Sequence, residues 1–182
     1  PGFNGPIEFP YTVSDGSTTD TAVVNLTVDS VNDPPVANPD VDTGPEDTKH
    51  TFDPRSNDAD PENDPLTITA INGQPIDLNT PITLTEGVVT LNPDGPLSFQ
   101  PNPNFNGPLT FEYTVSDGSL TDTSTVNISI SAVNDPPAGK DAVETTPEDT
   151  PYTVTVANFG FSDPDVGDTF AAVRIDSLPA NG

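Results

Sequence analysis

The pentapeptide VNDPP at Val31 to Pro35 returns 102 residues later, at Val133 to Pro137. The two copies extend upstream without a gap, and residues 1–35 match residues 103–137 at 23 of 35 positions. Repetition at this level within one chain marks a tandem array, in which each unit leans on its neighbours. The same offset carries PEDT at Pro45 onto PEDT at Pro147, and the acidic loop DADPENDPL from Asp58 resembles DPDVGDTF from Asp163. The chain therefore reads as the tail of one repeat (1–35), a whole repeat (36–137) and the head of a third (138–182). Because it opens inside a repeat, it reads as a fragment of something longer.

Within the whole repeat, Leu109, Phe111, Tyr113 and Val115 alternate with Thr110, Glu112 and Thr114, and Val126, Ile128 and Ile130 alternate with Asn127 and Ser129. Alternation with period two is the signature of strands with one buried face. Further strands are expected at residues 49–53, 66–71, 82–84, 88–91 and 97–99, separated by Asn, Asp, Gly and Pro clusters. About seven short strands with turn signals between them and no helical period predict an all-β fold. Its expected form is an antiparallel, immunoglobulin-like β-sandwich in tandem copies. The hairpin from Phe9 to Val31 cannot bury its apolar face by itself. Two sources could complete it: further repeats of a longer array, or an identical chain through strand addition.

Charge narrows the partners. The sequence holds 29 Asp plus Glu against 4 Lys plus Arg, a formal net charge of −25. Such a surface repels nucleic acid and anionic lipid, and no apolar run approaches the ~20 residues of a membrane span. Cysteine is absent, so disulfides and thiolate metal sites are excluded. Acidic loops in a chain without disulfides suit a hard cation, which prefers carboxylate and carbonyl oxygens. Asp58, Asp60, Glu62 and Asp64 fall in one seven-residue loop. Carboxylates crowded in this way repel one another wherever they are partly desolvated, and a cation removes that cost. The double prolines at 34–35 and 136–137 fix φ and extend both linkers.

YTVSDGS followed by an alternating strand and VNDPP resembles the last two strands and exit linker of cadherin repeats. PEDT resembles the PEN motif of that family, and Asp58-Ala59-Asp60 before Leu66-Thr67-Ile68 resembles its DxD loop and next strand. The nearest likeness is to bacterial cadherin-like tandem repeats of giant surface proteins and adhesins. The resemblance implies calcium at each repeat junction. At the first junction the implied ligands are Asn32 through its carbonyl, Asp33, Asp58, Asp60 and Asp117 of the SDG turn. At the second they are Glu46, Asn134, Asp135, Asp163 and Asp165, with Asp64 and Asp168 at the margins of the two loops. Where cadherins carry linker Asp and Asn, this chain has Ser30 and Ala132, and Pro34 and Pro136; no DRE-type motif precedes Phe111. These departures lower the expected ion count to one or two per junction. Extracellular calcium modules bind at roughly 10⁻⁴ to 10⁻³ M.

The implied role is that of a calcium-rigidified spacer or stalk at the cell exterior, partnered by neighbouring repeats of the same or an identical chain, and not that of an enzyme. The alternative is a polysaccharide-binding module whose partner is a surface glycan. Its aromatic platform would be Phe105 and Tyr113, yet both recur as Phe3 and Tyr11, as core residues would. Paired carboxylates can hydrolyse glycosides, but here they lie in end loops of a chain without Trp. His50, the one histidine, reads as an exposed strand residue beside Lys49. Asp20 and Asp122 read as turn residues before the last strand, without chemistry.

Overall fold

The computed structural model describes residues 3–177. Two long strands, β1 (Gly5–Ser14) and β2 (Thr19–Val28), pair antiparallel as a sheet of their own. The middle repeat is a sandwich. One sheet contains β3 (Asp40–Pro45), β5 (Thr67–Ile71), β6 (Gln74–Pro75), β10 (Gly107–Ser116) and β11 (Thr121–Ser131), in the order β3-β11-β10-β5-β6. The facing sheet contains β4 (His50–Phe52), β7 (Ile82–Thr83), β8 (Gly87–Leu91) and β9 (Leu97–Pro101), in the order β4-β9-β8-β7. Among the described residues beyond 137, the regular features are one 3-10 turn at Val156–Phe159 and isolated pairing of Ala138 with Ser162.

The expected alternation places the core. Leu109, Phe111, Tyr113 and Val115 of β10 are all buried, as are Val126, Ile128 and Ile130 of β11, while the residues between them face outward or lie half-buried. They pack on Leu97 and Phe99 of β9, Val89 of β8 and Ile71 of β5. Each such side chain contributes about 2 kcal/mol on leaving water. The β5–β6 turn is Asn72-Gly73, with φ of 47° and 71°. Both values lie in the left-handed region that a two-residue hairpin turn requires, and Asn-Gly suits it best. Asn72 is also fixed to β10, donating from its amide N–H to the Glu112 carbonyl at 2.9 Å and accepting the Glu112 N–H on Oδ1 at 2.8 Å.

Three features differ from the sequence-based expectation. First, β3 and β6 were not foreseen; with them the middle repeat has nine strands, two of only two residues. Second, β3 lies parallel to β11, so the larger sheet is mixed rather than purely antiparallel. Its sequence disguises it: the half-buried positions are Asp40, Asp42 and Gly44, while Val41 is exposed, so the polar residues point inward. Third, His50 is buried at 8 % exposure. Its Nε2 lies 3.0 Å from the Pro45 carbonyl and its Nδ1 3.4 Å from Asp42 Oδ2. A Cβ at Gly44 would come within 2.1 Å of that ring, so glycine makes the room that lets histidine turn inward.

Candidate metal centre

Each junction is assembled from the end of a strand, a Pro-stiffened linker and an acidic loop of the following repeat. At the second junction, β3 delivers Glu46, which is 2 % exposed. Its backbone N–H donates to Ser131 and its Oε1 accepts the Val133 N–H at 2.8 Å, which ties the glutamate to the linker. Asn106 donates to Oε2 at 3.2 Å. Across the linker, the Asp135 N–H donates to Asp165 Oδ2 at 2.7 Å, and the Asp165 N–H donates to Asp163 Oδ1 at 2.9 Å. Glu46, Asp135 and Asp165 thus bring one carboxylate oxygen each to within 4.8 Å of one another, and Asp163, Asp165 and Asp168 form a second such group. Asn134 turns its side-chain amide onto the Asp135 carbonyl at 2.9 Å.

Asp135 Oδ2 is buried without any hydrogen-bond partner. Burial, and then repulsion from Asp47, Asp165, Glu46 and Asp163, push its carboxyl above the usual range. An acceptor-only oxygen left dry and surrounded by like charge is costly. A divalent cation satisfies both conditions, so the residues fit a calcium ion.

The first junction repeats the design. The Asp33 N–H donates to Glu62 Oε2 at 3.0 Å. Asn32 donates to Asp117 Oδ2 at 2.9 Å and to the Asp33 carbonyl at 3.2 Å. Asp60 Oδ1 accepts the Glu62 and Asp64 N–H groups at 2.9 and 3.0 Å, while its Oδ2 is buried without a partner. Asp117 is held below the usual carboxylate range by the Leu120 N–H, the Asn32 amide and the Ser119 N–H. Among the described residues no three carboxylates converge within 4.8 Å here.

Equivalence between the two loops differs from the sequence alignment, which had set Asp58 against Asp163. Val36 pairs with Ala59 as Ala138 pairs with Ser162, so Asp60 corresponds to Asp163 and Glu62 to Asp165. The hydrogen bonds agree, since Glu62 holds Asp33 as Asp165 holds Asp135. The shared tripeptides Asp60-Pro61-Glu62 and Asp163-Pro164-Asp165 carried this signal, displaced by one residue from the 102 offset. Asp58 instead faces inward: it accepts the Asn38 N–H at 2.7 Å, and the Tyr113 hydroxyl sits 2.9 Å from its Oδ1 and 2.8 Å from the Asn38 carbonyl. Burial and that carboxylate raise the Tyr113 pKa. Asp40, beside them, is pushed up to about 6 by burial and by Asp58 and Asp53, against the hydrogen bond from Tyr113.

Sequence reasoning also passed over Asn106 and Asp47 at the second junction, and Asp122, whose Oδ2 accepts the Ala37 N–H at 2.9 Å. Asp122 therefore anchors the start of the repeat to β11, a role its place after a turn did not reveal.

A sandwich of this topology with acidic inter-repeat linkers defines an Ig-like, cadherin-like repeat. The bacterial Ig domain family matches residues 32–129, and the chain belongs to that family. No curated protein matches. Among solved structures, the chain is similar to the endo-fucoidan hydrolase MfFcnA4 of glycoside hydrolase family 107, with 25 % identity, 72 % of this chain and 19 % of that one covered, and TM-score 0.37. It is also similar to cadherin domains 1–5 of protocadherin gamma B2, with 18 % identity, 81 % and 30 % covered, and TM-score 0.47. A third is Sidekick-1 immunoglobulin domains 1–5, with 16 % identity, 76 % and 27 % covered, and TM-score 0.35. The chain spans about a fifth of the hydrolase's length. These likenesses concern fold, and no function follows from them.

Proposed function

We propose that this chain is a non-catalytic, calcium-locked structural repeat of an extracellular surface protein or filament, serving as a spacer that holds whatever lies beyond it. The observation that carries the reading is the convergence of Glu46, Asp135 and Asp165 around the unpartnered Asp135 Oδ2. Glu46 ends the middle sandwich, Asp135 belongs to the linker and Asp165 to the next repeat. An ion held by all three would restrain the hinge between repeats. Asp163 and Asn134 would stand beside it, and at the first junction Asp33, Asp60, Glu62, Asp117 and Asn32 would play the same parts. Bound calcium would supply charge neutralisation and bridging, with no reaction.

An outward role fits the net charge of −25, which keeps the chain soluble and wants cations. No helix among the described residues is long and apolar enough to cross a membrane. Glycan binding is disfavoured, because Tyr113 is wholly buried and Phe105 packs against the core.

Thermal unfolding and small-angle scattering, with calcium and then with chelator, test the proposal. Calcium is expected to raise the melting temperature and extend the particle. Unchanged melting and dimensions would mean that the acidic loops are only solvated and that the reading is wrong.

A further inference from the structure

The acidic loop that meets the first linker, residues 58–66, is held at both ends by one residue of the middle repeat. Asp53 opens a 3-10 turn over Pro54–Asn57 and accepts the Arg55 N–H on Oδ1 at 3.1 Å. At the loop's entry the Asp58 N–H donates to the Arg55 carbonyl at 3.2 Å. The Arg55 side chain then reaches the loop's exit, where its Nη1 donates to the Leu66 carbonyl at 3.2 Å. Its Nε and Nη2 donate to the two Asp53 oxygens, each at 2.8 Å, and Nη2 also donates to the Asp94 carbonyl at 3.1 Å. Asp94 lies between β8 and β9, so the loop is tied to the facing sheet as well. Such a set of donations needs the fixed fork of a guanidinium, which a lysine ammonium does not reproduce. The fit is close: a Cβ on Gly95 would come within 2.2 Å of Nη1, so glycine leaves the head group its place.

Charge separates two roles that this arginine could have. Arg55 and Lys49 are the only Lys or Arg between residues 36 and 137. Together with Asp58, Asp60 and Asp64, Arg55 lines an open recess of about 440 Å³. A fixed positive charge beside those carboxylates weakens their attraction for a cation. By charge alone Arg55 opposes calcium, and by geometry it favours it. Its bonds to Asp53 hold that carboxyl below the usual carboxylate range, so the pair that anchors the clamp stays ionised.

We propose that Arg55 is a positioning residue for the candidate ion at the first junction, clamping the entry and exit of the acidic loop so that Asp60 and Glu62 keep their places toward the linker. Inside the clamped loop, Asp60 Oδ1 accepts the N–H groups of Glu62 and Asp64, and Glu62 accepts the Asp33 N–H. Releasing the ends loosens this chain of bonds, and repulsion among the carboxylates then drives the loop open. The purpose of the clamp rests on the calcium reading; the clamp itself does not.

The test uses the full chain with the second junction silenced by Glu46→Gln and Asp135→Asn. In this parent, Arg55→Lys keeps the charge and loses the fork, and Arg55→Met loses both. Gly95→Ala leaves Arg55 in the chain and displaces its head group. By titration calorimetry, each variant should bind calcium about tenfold more weakly than the parent, as loss of an outer support costs a metal site. Arg55→Met should weaken binding even though it removes a repulsive charge. In chelator, ¹⁵N relaxation should find the Glu62 and Asp64 amides rigid in the parent and mobile in the variants, with the β10 amides rigid throughout. A general loss of stability would not single out the loop. Calcium bound by Arg55→Met as tightly as by the parent, or a loop that stays rigid in the variants, would overturn the proposal and leave the calcium reading standing. A parent that binds no calcium would overturn the calcium reading at this junction and the proposed role with it.

Discussion

Asp58 and Asp60 are two positions apart, carry the same group and have different jobs. Asp58 is engaged by Tyr113 and the Asn38 amide, whereas Asp60 turns one oxygen to its own loop and leaves the other unpartnered. Asp60→Asn should therefore weaken the calcium-induced rise in melting temperature. Asp58→Asn should lower the melting temperature with and without calcium, by about 1 kcal/mol for a charge-assisted hydrogen bond made weaker. Melting curves of both variants in calcium and in chelator check this. At the second junction, Glu46→Gln removes a charge but keeps the acceptor for Val133, and calcium affinity should fall about tenfold, ~1.4 kcal/mol, read by titration calorimetry. Asp40 gives a pH signature. Its carboxyl is raised from 3.8 to about 6 in the folded state, so folding holds that proton more tightly. The associated stability is fully present below pH ~4 and is lost as pH rises through 6. Asp40→Asn should then stabilise the protein at pH 7 by about 1 kcal/mol, discounted for partial exposure, and have no such effect at pH 4.

At the scale of elements, β3 joins packing to the candidate site. It is an edge strand, paired on one side only with β11, and the buried Glu46 follows directly on its last residue. The His50 imidazole reaches it from β4, meeting Asp42 and the Pro45 carbonyl over Gly44. Gly44→Ala puts a methyl into the ring, and overpacking of that kind costs about 2 kcal/mol. The double variant with His50→Ala should cost less than the sum of the single changes, because the clash disappears with the ring. Urea unfolding of the four proteins in the cycle measures the coupling. The β10 hairpin has its own anchor in the Asn72-Gly73 turn, where Gly73 sits at φ 71° in open space. Gly73→Ala should cost roughly 1 kcal/mol through backbone strain alone.

For the whole molecule, an array of repeats is as stiff as its junctions. Ligands that bind only the folded state stabilise it by mass action, by about 2.7 kcal/mol at a hundred times the dissociation constant. If calcium locks the junctions as proposed, chelation should lower the melting temperature and shorten the longest dimension seen in scattering together, since one set of carboxylates would then control both. The sequence by itself determined a great deal. The 102-residue offset set out the repeats, alternation determined β10 and β11 and their buried faces, and the acidic linkers offered Asn32, Asp33, Asp60, Asp117, Glu46, Asn134, Asp135, Asp163 and Asp165 as candidates for the proposed ion. Those properties are local and periodic, so neighbours along the chain suffice to encode them. Only the tertiary structure decided that β3 is a strand, because its inward residues are acids and a glycine whose place depends on β11 and His50. It also decided that Glu62 rather than Asp58 faces the linker, because a one-residue shift in an acidic loop leaves composition unchanged. What tells those carboxylates apart is a hydroxyl 55 residues away in sequence, that of Tyr113.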